Sequence, residues 1–466
     1  MLFLAAAILS ASVHLSGVIE VPGVPVEATG STVLTSEIAD SRPAADDALT
    51  ACSVDADGAL DGARCLGQLT RASSASIAAF GAGLDPTGGD VGVVSAAVTA
   101  DVDADIVADW WGSLDRSRQR ELAATVPGLV GNLEGVPYGV RDHANRAFLS
   151  EAIEAVDARL ASDRAQPDDV GRAAMLRAVG EALDDRTSGA AERRLLALDT
   201  VVPGRAAISI GDLDTADDVS VLVPGMFFTV SGQIVDWSDT AGDLYDEQST
   251  WAALVPGAGS VDAPSTAVVA WMGYRTPDLT NVYSLDLART GAVHLEDAIA
   301  GLDAVRAADP ARVTVVAHSY GSTTATLALS SGRVTVDSLV LLGSPGSVVD
   351  TATQLAVHGS EVYAAAGSFD PVAGSAVFGV DPGSSAFGAV LMHTGGGADG
   401  VTGQTLSAAL GHNDYLRAGT ESLRSIALIG LGRGDLVAAD DRTPGPGGPE
   451  MPDITLVRPQ DLYARD

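Results

Sequence analysis

The chain has 466 residues, 46% of them apolar, and a formal net charge of −34. That apolar share supplies a sizeable core and excludes global disorder, and the length accommodates one large domain with a substantial further segment. Arginine supplies every fixed positive side chain, because the sequence holds no lysine; so acidic a surface repels phosphate backbones and excludes nucleic acid as a partner.

The first residues, Met1-Leu-Phe-Leu-Ala-Ala-Ala-Ile-Leu-Ser, are apolar, and no charged side chain precedes Glu20. Residues 1–23 thus resemble the hydrophobic part of a signal peptide or a short membrane anchor, without the usual basic flank. The expectation is export or anchoring, with membrane or envelope association through this segment. Residues 24–105 are rich in small and acidic side chains and read as loosely packed helices and loops. They carry both cysteines, Cys52 and Cys65. The pair allows one local disulfide, which implies an oxidising compartment; two separate buried thiols are the other reading. The runs Asp55-Ala-Asp57-Gly58 and Asp101-Val-Asp103-Ala-Asp105 imitate the start of a calcium loop without its downstream glutamate. They read as solvated acidic loops.

From Ile106 the apolar pattern turns helical: Trp110, Trp111, Leu114 and Leu122 recur at roughly helical spacing, and residues 127–137 break the run as an ordered loop. Further helices are expected around 141–161, 167–183 and 190–198, completing a helical region over 106–200. After Pro203 the rhythm alternates. Strands are expected at 206–210, 219–223, 266–271, 313–317, 338–342 and 361–366, with a helix over 286–308. Near-continuously apolar strands separated by helices predict a mostly parallel sheet covered on both faces, spanning 201–435. The glycine-rich stretch 381–411 reads as a loop or lid crossing a site, 414–429 as a final amphipathic helix, and 436–466 as a tail.

One strand carries chemistry. Arg312-Val-Thr-Val-Val-Ala-His-Ser319-Tyr-Gly321-Ser runs a β-branched segment straight into a serine and then into a small-residue helix. So sharp a turn brings strand and helix almost into contact, so positions two before and two after the serine must be small. Ala317 and Gly321 meet that demand, and Ser319 reads as the nucleophile of an elbow of the G-x-S-x-G type. Serine needs an imidazole to take its proton and a carboxylate to hold that imidazole in the right tautomer. Downstream, the strand at 361–366 leads into Ser368-Phe-Asp370-Pro371, which places Asp370 just past a strand end. Gly411-His412-Asn-Asp-Tyr415 follows the irregular stretch and precedes the last helix, where the base belongs in the order serine, acid, histidine.

The other histidines fit less well. His14 lies in the apolar N-terminus, His143 among the helices, His294 ahead of the nucleophile strand and His358 ahead of the acid. His318 adjoins the serine and points away from its side chain; His393 is the remaining rival to His412. For the acid, Asp381 and Asp399 lie within the irregular stretch, and Asp414 reads as the N-cap of the last helix. A developing oxyanion needs two donors: the backbone N–H of Tyr320, and that of Met226 in the turn Val221-Leu-Val-Pro-Gly225-Met-Phe-Phe228. Met226, Phe227, Phe228, Trp271 and Tyr274 sit at strand ends, as the lining of an apolar pocket or as core.

Blocks beyond the elbow carry a resemblance. They are Trp110-Trp-Gly-Ser-Leu with Pro127-Gly-Leu-Val-Gly-Asn-Leu-Glu-Gly-Val-Pro, then Gly211-Asp-Leu-Asp-Thr-Ala-Asp-Asp with Val-Pro-Gly-Met. His318-Ser-Tyr-Gly-Ser, Leu342-Gly-Ser-Pro-Gly and Phe369-Asp-Pro-Val-Ala follow, then Phe378-Gly-Val-Asp-Pro with Ala-Phe-Gly-Ala, and Gly411-His with Tyr415. Over residues 106–433 the chain resembles the actinobacterial α/β-hydrolase family long labelled domain of unknown function 1023, although Ala317 stands where that elbow has glycine. The resemblance implies an α/β-hydrolase fold with a serine-hydrolase triad on Ser319, Asp370 and His412. It needs no metal and no cofactor. The expected chemistry is acyl transfer from a small-molecule or lipid-like ester to water. Transfer to an alcohol or sugar, or a non-catalytic envelope role on the same fold, are the alternatives.

Overall fold

The computed structural model describes residues 49–53, 60–184, 191–255 and 263–438. The apolar N-terminal segment, His14, the acidic run at 55–58 and the C-terminal tail from 442 lie outside these residues. Helices come first: α1 Gly62–Arg71, α2 Ser74–Gly83, α3 Asp90–Asp101, α4 Ala104–Ser113, α5 Arg116–Thr125, α6 Pro127–Gly131, α7 Tyr138–Leu160 and α8 Asp169–Leu183. Their capping is written in the sequence. The Asp61, Ser73 and Asp115 side chains accept from backbone N–H groups in the first turns of α1, α2 and α5.

The stretch expected to be loosely packed has a core of its own, in which Leu69, Ile77 and Val98 pack with Trp111 and Leu122. Small residues make this possible, because they let helices approach to backbone contact. A Cβ on Gly81 would lie 2.3 Å from the Thr125 carbonyl oxygen, and one on Gly128 would lie 2.6 Å from Val91. Asp101 and Asp103 stand at the junction of α3 and α4, and the Asp101 carboxylate accepts from Gly62 N at 2.7 Å. Cys52 and Cys65 are joined as a disulfide. Among the described residues, no helix is long and apolar enough to cross a membrane.

The second half alternates β1 Arg193–Asp199, β2 Arg205–Ile210, β3 Asp218–Val223, α9 Val230–Leu254, β4 Thr266–Met272, α10 Asp286–Val305, β5 Arg312–His318, α11 Tyr320–Ser330, β6 Ser338–Leu342 and β7 Val362–Ala365. Short strands β8 Val390–Leu391, β9 Gly397–Ala398 and β10 Thr405–Leu406 precede α12 Glu421–Gly430. Eight strands form one sheet in the order β1-β2-β4-β3-β5-β6-β7-β8, antiparallel at the β1–β2–β4 end and parallel from β4 to β8. This is the α/β-hydrolase architecture, with an N-terminal helical region attached.

Strand β5 lies in the middle of the sheet, where both faces are covered. Val316 packs toward α8, α9 and α12, and its neighbour Val315 toward α10 and α11. Each such valine contributes roughly 1.5–3 kcal/mol by leaving water, which is why a β-branched run settles here. The acidic turn after β2 ties the two halves together, because the Asp214 carboxylate accepts from Tyr138 N at 2.8 Å and Gly139 N at 2.7 Å and so caps α7.

Two expected helices are corrected. The sequence pattern predicts a helix over 190–198, yet Arg193–Asp199 is strand β1, paired antiparallel with β2. Burial of Leu195 and Leu196 on opposite sheet faces overrides their helix propensity. The last helix begins at Glu421 rather than 414. Gly419 takes φ 76°, which breaks any earlier turn, and the Thr420 side chain caps Leu423 N. Asp414 is therefore not a helix cap. Its carboxylate accepts from Gly411 N at 2.8 Å and braces the loop that carries His412.

Candidate active site

Ser319 stands at the carboxyl end of β5 with φ 55° and ψ −128°, a conformation that side-chain-bearing residues rarely hold. Neighbouring strands enforce it. Ser319 N donates to the Leu342 carbonyl at 2.8 Å, across from β6. A Cβ on Gly321 would lie 2.6 Å from the Val223 carbonyl oxygen, so α11 can start this close to β3 only on glycine. Ala317, buried between Val223 and Leu341, fits its position with a methyl group.

His412 Nε2 lies 2.8 Å from Ser319 Oγ. On its other side, His412 Nδ1 lies 2.9 Å from Asp370 Oδ1 and 3.0 Å from Oδ2. Because Nδ1 faces a carboxylate it carries the proton, leaving Nε2 to accept from the serine hydroxyl. The Asp370 side chain is 0% exposed and that of His412 4%. Burial alone would raise the Asp370 carboxyl. The His412 imidazole, the Tyr415 hydroxyl and the Val372 amide outweigh it and hold the carboxyl below its ordinary range.

Several parts of this arrangement were not read from the sequence. Tyr415 donates its hydroxyl to Asp370 Oδ2 at 2.6 Å and accepts from Gly367 N at 2.7 Å. Burial, then the Asp370 charge, raise its phenol well above the usual range, so it remains a donor. His318 does point away from the serine hydroxyl, as expected. Its Nε2–H donates to the His412 carbonyl at 2.7 Å, and its ring lies 4.7 Å from the His412 ring. Burial and then the neighbouring His412 depress its pKa, so it stays a neutral prop for that loop. Gly343, at the end of β6, leaves the space in which acid and base meet.

The remaining candidates are placed elsewhere. His294 contacts the Gly273 carbonyl and Arg205, His358 faces Asp337, and His393 faces Glu421 at 2.6 Å; His143 is exposed. Asp381 accepts from Gly383 N, and Asp399 from Thr402 N.

A shallow, open slot leads to Ser319. Met226 and Tyr320 line it, and among the described residues neither backbone N–H meets an acceptor. Of the aromatic candidates, Trp271 and Tyr274 stack on each other in the core, where the Tyr274 hydroxyl donates to the Pro224 carbonyl at 2.7 Å and fixes the turn before Met226. Phe228 packs edge-on against Trp237. The apolar walls come instead from Val282, Pro345, Val372, Val377 and Phe378. Residues 381–411, expected as a loop or lid, contribute nothing to this lining; the loop directly after Asp370 forms one wall of the slot.

The family model described as Alpha/beta hydrolase matches residues 199–380, which include Ser319 and Asp370 and stop short of His412. An uncharacterized protein of Mycobacterium bovis is 34% identical over 196 residues, 41% of this chain and 72% of that relative. The chain belongs to the alpha/beta hydrolase family. A longer match, 31% identical over 381 residues, is to an uncharacterized protein of Mycobacterium tuberculosis. It covers 71% of this chain and 56% of the relative, so the chain spans little more than half of that protein's length. The mycobacterial source of these relatives agrees with the actinobacterial family that the sequence blocks resemble.

Proposed function

We propose that the protein is a serine hydrolase that cleaves a carboxylic ester, or a related acyl bond, through an acyl-enzyme. The observation that carries this reading is the continuous hydrogen-bonded chain Ser319–His412–Asp370, with the serine on a strained elbow and every link between 2.8 and 3.0 Å. Ser319 Oγ attacks the carbonyl carbon while His412 Nε2 takes its proton, and Asp370 stabilises the imidazolium that forms. The Tyr320 and Met226 amides receive the negative charge developing on the carbonyl oxygen. Collapse expels the alcohol with the proton from His412. Water then repeats the sequence, the imidazole taking its proton and returning it to Ser319 as the acid departs. Esters are the proposed substrates because Val282, Pro345, Val372, Val377 and Phe378 give the slot apolar walls.

A stopped-flow mixing experiment with excess p-nitrophenyl ester tests this. The expected result is a burst of nitrophenol matching the protein concentration, with intact mass raised by one acyl group located on the Ser319 peptide. A folded protein with neither burst nor turnover would overturn the reading.

We further propose that the protein works outside the cytoplasm. The Cys52–Cys65 disulfide supports this, since such crosslinks persist in oxidising compartments. Fractionating the native host and trapping free thiols checks it: the expected protein is in an extracytoplasmic fraction and resists alkylation.

A further inference from the structure

The mouth of the slot beside Ser319 is apolar and faces water. Tyr283 and Val377 line the slot, and they are 46% and 36% exposed. Among the described residues the exposed aromatic side chains are Tyr283 and Phe369, and Phe369 directly precedes Asp370. No charged side chain is among the described residues that line the slot, in a chain whose net charge is −34. Both rim segments are tied to the catalytic elements. The Tyr320 hydroxyl donates to the Ser284 carbonyl at 2.6 Å and accepts from Ala288 N at 3.2 Å, so the residue after the nucleophile pins the chain beside Tyr283. Its ring meets that of Phe378, the neighbour of Val377, edge-on with centroids 5.4 Å apart. Asp370 Oδ1 accepts from Val372 N at 2.8 Å and Ala373 N at 3.2 Å, which anchors the segment leading to Val377 to the carboxylate that orients His412. Apolar side chains held in water are stabilised when covered, and those at the mouth of a site are covered by what the site binds.

We propose that Tyr283 and Val377 are specificity-determining residues, over which an apolar chain of the substrate leaves the slot. This rests on the ester-hydrolase reading and narrows it: the preferred substrates are esters whose apolar chain, on the acyl or the alcohol side, is longer than the slot is deep. Because the slot is shallow and open, that chain runs from Ser319 across the rim toward solvent and meets no closed end. Each methylene laid against Tyr283 or Val377 raises kcat/KM by roughly 2- to 4-fold. Once the rim is covered, further methylenes add nothing. An enclosed pocket would instead give an optimum length and a fall beyond it.

The test uses the full chain and esters kept below the concentration at which they aggregate. One arm runs p-nitrophenyl esters from acetate to decanoate, and the other runs acetates of alcohols from methanol to decanol. In at least one arm kcat/KM of the wild type is expected to rise by roughly 10-fold or more and then level off. Long-to-short ratios taken within each protein divide out any general loss of activity. Tyr283→Ser and Val377→Ser are each expected to lower that ratio by roughly 3-fold or more. Val170→Ser, at a 70% exposed position on α8, is expected to keep the wild-type ratio. Thermal melting verifies that the variants are folded. A flat or falling series in both arms, a decline past an optimum in the arm that rises, or a rise that survives in both rim variants would overturn this proposal alone. Absence of turnover of every ester by the wild type would overturn the hydrolase reading and this proposal with it.

Discussion

The Tyr415 hydroxyl lies 2.6 Å from Asp370 Oδ2, the same oxygen that lies 3.0 Å from His412 Nδ1. Acid and base are therefore fixed by a third side chain, which also ties Asp370 to the backbone of Gly367. Removing the hydroxyl with Tyr415→Phe takes one charge-assisted hydrogen bond from the carboxylate, of a kind that contributes roughly 1.5–3 kcal/mol. The expected outcome is a fall in kcat of about 10-fold or more at little change in KM, measured on a p-nitrophenyl ester. An unchanged kcat would mean that Asp370 is oriented without Tyr415.

Gly343 tests the space in which the pair meets. A Cβ there would lie 2.6 Å from Asp370 Oδ2 and 2.9 Å from His412 Nδ1, and its φ of 57° already disfavours a side chain. Gly343→Ala should push acid and base apart. A drop in kcat on the order of 100-fold is expected, because displacements of about 1 Å cost that much in an aligned site. Far-ultraviolet circular dichroism should be unchanged.

Asp218 gives a pH dependence unrelated to catalysis. Burial lifts its carboxyl to about 7, with Arg312 3.4 Å away offsetting only part of the effect and Asp217 and Asp337 adding to it. Because the folded value lies above the ordinary one of 3.8, the folded state holds an extra proton between them. Stability from this group is present below the lower value and is lost as pH rises through the upper. Asp218→Asn should thus raise Tm at pH 8, by roughly 2–4 °C for about 1 kcal/mol, and leave it nearly unchanged at pH 4. Melting curves at the two pH values decide it.

The parallel half of the sheet and the convergence of Ser319, Asp370 and His412 were legible because each follows a local rule. Apolar β-branched runs mark strands covered on both faces, and chain order with strand-end placement picks out Asp370 and His412 as neighbours of the serine. What escaped depends on residues far apart in sequence. Strand β1 looks helical until its pairing with β2 is known, and Asp414 looks like a helix cap until Gly419 is seen to break the turn. The partnership of Tyr415 with Asp370 was hinted at only by an aromatic residue three places after the histidine. The aromatic residues near the ends of β3 and β4 were ambiguous for the same reason: a strand end gives no sign of whether a ring turns to the core, as Trp271 and Tyr274 do, or to the slot. The N-terminal helices looked loosely packed because their close approach depends on glycines, which carry no hydrophobic signal.

The proposed hydrolysis requires that Ser319 be an activated nucleophile. The most direct measurement is labelling with a fluorophosphonate, which captures a serine only when an adjacent base takes its proton. The native protein is expected to react stoichiometrically, Ser319→Ala not at all, and His412→Ala at a rate lower by several orders of magnitude. A folded native protein that takes up no label, or label that persists undiminished in Ser319→Ala, would contradict the account.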